Sequence, residues 1–118
     1  NFFMMIGPNT ALAHNSQIFM IEAQARYVSS ALRKLVRRPN AALAVRADRQ
    51  RTFNDWIVSS LAKAVWNTGG CTSWYLDPNT GRNSLLWPGS AFAFWRRMRR
   101  FRATDYRWTT PGSATGRR

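Results

Sequence analysis

Cysteine occurs once in the 118 residues, at Cys71, so no internal disulfide can form and no cysteine-rich zinc site can be assembled. A chain without a disulfide framework is expected in a reducing compartment, most simply the cytosol. Acid is nearly as scarce. Glu22, Asp48, Asp55, Asp77 and Asp105 are the five carboxylates, widely separated, and His14 is the single histidine. Paired carboxylates, metal-ligand clusters and nucleophile–base pairs all need such groups close together, so the chain offers no self-contained catalytic set and no metal site. Beside the start of a helix, His14 reads as a capping or packing residue, with orientation of a ligand group as the alternative. Long apolar runs are also missing. None approaches the roughly 18–20 residues that span a bilayer, and the amino end has neither the positive flank nor the apolar region of a signal peptide.

What the chain does have is basic charge and aromatic bulk. Eighteen Lys and Arg against five acids give a formal net charge of +13, while 45% apolar residues and six Trp are enough for the core of one small domain. Such a surplus points first to nucleic acid or to an anionic membrane surface. The stretch Trp95-Arg96-Arg97-Met98-Arg99-Arg100-Phe101-Arg102 is where either would bind. Its spacing puts Phe94, Met98 and Phe101 on one face and Arg96, Arg97, Arg99 and Arg100 on the other, which favours an amphipathic helix with a solvated basic face. A small basic nucleic-acid-binding module remains the alternative class; it predicts binding that weakens log-linearly with salt.

Along the chain, Phe2 to Ile6 has the length and apolar continuity of a buried strand of a parallel sheet, closed by Gly7-Pro8. Because the run begins at Asn1 already inside this pattern, a preceding fold is expected to supply its sheet neighbours. Asn15 or Ser16 can cap a long helix in which Ile21, Ala25, Val28, Leu32 and Leu35 share a face, ending before Pro39. Ala42 to Arg46 reads as a second short strand. A helix beginning near Asp48 places Phe53, Trp56, Ile57, Leu61 and Ala64 on one side and breaks at Gly69-Gly70. Ser73 to Leu76, the turn Asp77-Pro78-Asn79-Thr80-Gly81 and Arg82 to Trp87 have the order of an irregular hairpin. Pro88-Gly89-Ser90 opens the basic helix, and residues 109–118 are polar enough for a disordered tail. The fold class is therefore α/β: strand, loop and long helix, then helix, hairpin and basic helix. The junction between strand and first helix is the most informative place, because backbone N–H groups and the positive helix end face an anion there.

The ordered series "NFFMMIGPNTALAHNSQIFMIEAQARYV", "VRADRQRTFNDWI", "VWNTGGCTSWYLDPNTGRNSLLWPG" and "FWRRMRRF…DY" closely resembles the carboxyl-terminal part of flavin-dependent monooxygenases of the Baeyer–Villiger and flavin-containing monooxygenase group, over roughly residues 1–108. The glycine-rich FAD and NADPH fingerprints of that group are not in this sequence. The resemblance implies a carboxyl-terminal fragment of a flavoprotein with two dinucleotide-binding domains. Residues 1–40 would be the last strand and helix of the FAD domain, 41–108 the family's carboxyl-terminal region, and 109–118 a tail. It implies FAD and NADP as cofactors, the rest of the flavoprotein chain as partner, and O2 with a small ketone or a soft heteroatom compound as substrates, oxidised through a C4a-peroxyflavin. Gly7, Pro8, Asn9 and Thr10 would run beside the isoalloxazine ring, with Thr10, Ala11 and Leu12 bordering the substrate pocket. The "CTSWY" segment resembles a mobile loop that closes on the nicotinamide cofactor, with Trp74 at the position that contacts it. Ala13 stands where a glycine would be expected, and "LDPNTGRN" departs from the more familiar "GAN" form of that loop. On this reading no catalytic residue lies within the chain, which alone would be inactive, would bind no nucleic acid and would have no membrane span.

Overall fold

A computed structural model describes residues 1–11, 16–64 and 74–110. In chain order these form α1 (Gln17–Val36), β1 (Ala42–Val45), α2 (Ala47–Leu61), α3 (Ala91–Met98), a single 3-10 turn (Ala103–Asp105) and β2 (Tyr106–Thr109). The α/β character is therefore present, carried by three helices and one two-stranded antiparallel sheet in which Ala42 faces Thr109 and Val45 faces Tyr106.

Each helix follows from its sequence. α1 carries Arg33 and Lys34 in its last turn, where the carbonyl end favours cations. Beyond it the chain reverses at Pro39-Asn40, with Asn40 in the left-handed region at φ 62°. The Ser90 side chain caps α3 by accepting the Ala93 N–H at 3.2 Å. The main core gathers Met20 and Ala23 of α1, Ile57 and Leu61 of α2, Leu86 and Trp87, and Ala91 and Phe94 of α3. Trp87 meets Phe94 edge-on at 5.1 Å and Trp56 at 5.2 Å between centroids. A second cluster joins Ala31, Leu43 and Phe101, with Tyr27, Tyr106 and Trp108 packed around it. There the Tyr27 and Tyr106 hydroxyls lie 2.6 Å apart, and burial raises both phenols above the ordinary tyrosine value.

Several sequence expectations need correction. Phe2 to Ile6 is no buried strand: Phe2 is 83% exposed, Met4, Met5 and Ile6 are exposed, and Ile6 takes φ 53° in a turn. A strand requires a partner for its N–H and C=O groups, and among the described residues the sheet consists of β1 and β2 alone. Phe3 is the member of the run that packs inward, against the second cluster. The buried face of α1 is also rotated from the expected one. Met20, Ala23, Gln24 and Ala31 are buried, whereas Leu32 is 48% exposed, because small residues let neighbouring elements approach closely on that side and the Gln24 Oε1 is engaged by the Ile6 N–H at 2.9 Å.

The hairpin contracts to one antiparallel bridge, Leu76 with Asn83, since its second arm is taken by another segment as described below. Phe101 is buried as expected but lies beyond the end of α3, and Thr109, placed in the tail, is the last residue of β2. The proposed helix break at Gly69-Gly70 and residues 111–118 of the tail lie outside the described residues. Among the described residues no helix is long and apolar enough to cross a membrane, and no group of His, Cys, Asp and Glu could hold a metal ion.

Candidate functional site

The segment Gly7–Ala11 owes its shape to hydrogen bonds with a stretch more than seventy residues later. The Asn9 N–H donates to Ser84 O at 2.8 Å and the Ala11 N–H to Leu85 O at 3.1 Å, while the Trp87 N–H returns to Ala11 O at 2.8 Å. Ala11 and Leu86 thereby form a parallel bridge. Asn9 adopts φ 55°, a conformation that asparagine tolerates better than most residues. Its side-chain amide donates to both Asn83 O, at 2.8 Å, and Leu86 O, at 3.0 Å. Thr10 Oγ1 donates to Gly7 O, closing the turn. A Cβ at Gly7 would stand 3.2 Å from the Met4 sulfur, a tight contact with a flexible side chain.

Asn83 is the buried hub on the other side. Its Oδ1 accepts the Leu86 N–H at 3.0 Å and the Leu85 N–H at 3.3 Å, and the residue is 7% exposed. Just before it, the Asp77 carboxylate accepts the Asn79 and Thr80 N–H groups at 2.9 Å each, and the Gly81 N–H donates to Asp77 O at 2.8 Å. The Thr80 and Asn79 amides hold the Asp77 carboxyl below the usual carboxylate value. Gly81, at φ +65°, supplies the left-handed residue of this turn.

Trp74 stands at the near end of the same segment. It is 77% exposed, with its ring against Tyr75 at a centroid distance of 4.3 Å, so one large aromatic face is open to a ligand.

Of the sequence-derived candidates, Gly7, Pro8, Asn9, Thr10 and Ala11 form one continuous segment, and Asn9 joins it to the chain that follows Trp74. Leu12, Ala13, His14, Asn15 and Cys71 lie outside the described residues. At the start of α1, Ser16 makes no side-chain cap and the first turn contains no acid, so the positive helix end is not neutralised from within α1. No side chain from Phe2 to Ala11 is ionisable. What this segment offers is shape, backbone donors and acceptors, and a hydroxyl. Sequence reasoning missed Asn83; its only signal was an amide residue two positions after a turn glycine, a common arrangement.

No protein-family profile and no solved structure matches the chain. Curated relatives do. A Baeyer-Villiger monooxygenase of Pseudomonas aeruginosa is 46% identical over 93% of the chain, and one of Streptomyces coelicolor is 44% identical over 97%. An FAD-binding monooxygenase of Aspergillus niger is 33% identical over 97%. The chain spans about a fifth of the length of these relatives, 21%, 22% and 19% respectively. Identity at this level across almost every described residue places it: the chain belongs to the flavin-dependent monooxygenases of the Baeyer–Villiger group.

Proposed function

We propose that this chain is the carboxyl-terminal portion of an NADPH- and FAD-dependent monooxygenase that transfers one oxygen atom of O2 to a small ketone or to a heteroatom. The observation that carries the reading is the hydrogen-bonded tie from Asn9 to Asn83 and Leu86, which fixes the flavin-side segment to the one that carries Trp74. Gly7–Thr10 suits a flat, uncharged ring system: it is free of ionisable side chains and held by the bond from Asn9 to Ser84 and, just beyond it, from Ala11 to Leu85. Bound FAD would supply the activation of O2. The chain's own contribution is to border that ring with Gly7, Pro8, Asn9 and Thr10, to line the substrate space with Thr10, Ala11 and Leu12, and to present Trp74 to the nicotinamide cofactor. A large aromatic covers a ribose or nicotinamide face at little cost in side-chain entropy, and it excludes water from the reacting centre.

The nucleic-acid alternative needs open aromatic rings for base stacking beside the basic helix. Arg38 lies over Trp108 at 4.2 Å and Arg97 over Phe53 and Trp56 at 4.8 and 4.7 Å, so the chain's own guanidinium groups cover a face of these rings. Trp74→Ala in the complete polypeptide tests the assignment. Affinity for NADP is expected to fall by about 1–3 kcal/mol, the scale of one lost stacking contact, and more NADPH is consumed without product while FAD content stays unchanged. Loss of FAD, or unchanged coupling and NADP affinity, would assign Trp74 to packing and refute its cofactor role.

A further inference from the structure

A cleft of about 430 Å³ opens between α1, α2, α3 and the stretch leading into β2, and none of Gly7–Ala11 or Trp74 lines it. Its charge is one-sided. Arg49, Arg96, Arg97, Arg100 and Arg102 converge on it with Asp105 as the single carboxylate. Asp105 pairs with Arg49 at 3.4 Å, and among the described residues no carboxylate pairs with the other four. The five arginines are exposed, and a cleft lined by charge of one sign raises the local concentration of anions.

We propose that this cleft binds a small organic phosphate, a mono- or diphosphate ester with a flat or apolar body. Guanidinium groups match phosphate oxygens in bidentate geometry, and Arg97 is held in place between the Phe53 and Trp56 rings before any ligand arrives. Burial and the nearby Arg102 charge lower the Arg97 guanidinium from its ordinary value, and an anion in the cleft would oppose that shift. The body of the ligand has its own wall, because Phe53, Met98 and Val45 line the same space. The volume lies within the range of about 300–1,000 Å³ typical of small-molecule sites.

The test reads the cleft locally and without turnover, so its failure leaves the monooxygenase assignment standing. The complete polypeptide is treated with phenylglyoxal, which modifies arginine, and labelling is mapped by peptide mass spectrometry with adenosine 5′-diphosphate, pyrophosphate or adenosine present. Adenosine diphosphate is expected to lower labelling of Arg96, Arg100 and Arg102 several-fold, at lower concentration than pyrophosphate, and adenosine to have no effect. Arg33 and Arg37, on the exposed end of α1, should label equally throughout. In the double variant Arg96→Gln and Arg100→Gln, half-protection of Arg102 should need at least tenfold more adenosine diphosphate. Protection by adenosine alone, protection unaltered in the double variant, or an oligonucleotide shielding Arg33 and Arg37 along with the cleft would each overturn the proposal.

Discussion

Two short apolar runs meet opposite fates in this chain. Ala42–Val45, the less apolar of the two, is a strand because Tyr106–Thr109 returns to pair with it. Phe2 to Ile6, with two Phe, two Met and an Ile, stays unpaired and largely exposed. The difference teaches that a strand is the property of a pair: apolar character selects which runs can be buried, and an available backbone partner decides which one becomes a strand. The paired region buries Leu43 alone of its first strand, yet it is bonded to several other elements. Tyr27 meets Tyr106, Arg38 covers Trp108, and the Leu43 N–H reaches Asn1 Oδ1 at 2.7 Å. Ile18, Phe92 and Trp74 are exposed as well, and the molecule extends only 18 Å along its shortest principal axis. Packed helices lie about 8–10 Å apart, so a body with this shortest extent has room for few layers in which to bury that surface. On the reading developed above, the rest of the flavoprotein covers it.

The comparison can be broken first with a matched pair of truncations. Leu43→Ala empties a position that is 7% exposed in the paired region, and is expected to cost about 2–5 kcal/mol in denaturant unfolding. Ile6→Ala, at a position 44% exposed, is expected to change stability by no more than about 0.5 kcal/mol. Equal losses at the two sites would mean that the amino-terminal run is packed after all.

Particular residues show how much of this was legible in the sequence. The helices were, because apolar spacing, Pro39 and the Ser90 cap are local signals. The face that α1 buries was not. Ile21, Ala25, Val28, Leu32 and Leu35 form a good stripe, yet Met20, Ala23, Gln24 and Ala31 are the buried positions, and hydrophobicity alone ranks Leu above Ala and Gln. Pairing of β1 with β2 was equally hidden, since a four-residue strand carries no mark of a partner some sixty residues away. At the candidate site, the stretch from Gly7 to Ala11 and Trp74 could be named from the resemblance. The network through Asn9 and Asn83 that joins them depends on a left-handed backbone and on long-range bonds, which no spacing encodes.

That network gives the next effect in size. Asn9→Ala removes two side-chain hydrogen bonds and forces a β-carbon residue without asparagine's local compensation to hold φ 55°. A loss of about 1–3 kcal/mol is expected. Asn9→Gly relieves the backbone part alone and should recover some of it; full recovery would show that the bonds to Asn83 and Leu86 contribute nothing.

A smaller effect is set by pH at the exposed Asp77 turn. Its folded carboxyl lies below the unfolded value, so the turn is fully supported above about pH 3.9 and loses support as pH falls through the lower folded value. The amide resonances of Asn79 and Thr80 should therefore titrate together below the normal carboxylate midpoint, and Asp77→Asn should abolish that titration. A midpoint at or above the ordinary value would contradict the turn geometry.

Hydrogen exchange at the Phe3, Met4 and Met5 amides, compared between the 118-residue chain and the complete polypeptide that contains it, tests the central claim most directly. If the rest of a flavoprotein supplies the missing sheet partners, these amides exchange freely in the short chain and at least about a hundredfold more slowly in the complete one. Equal rates in both would contradict the account, because the exposed amino-terminal run would then have no strand to join.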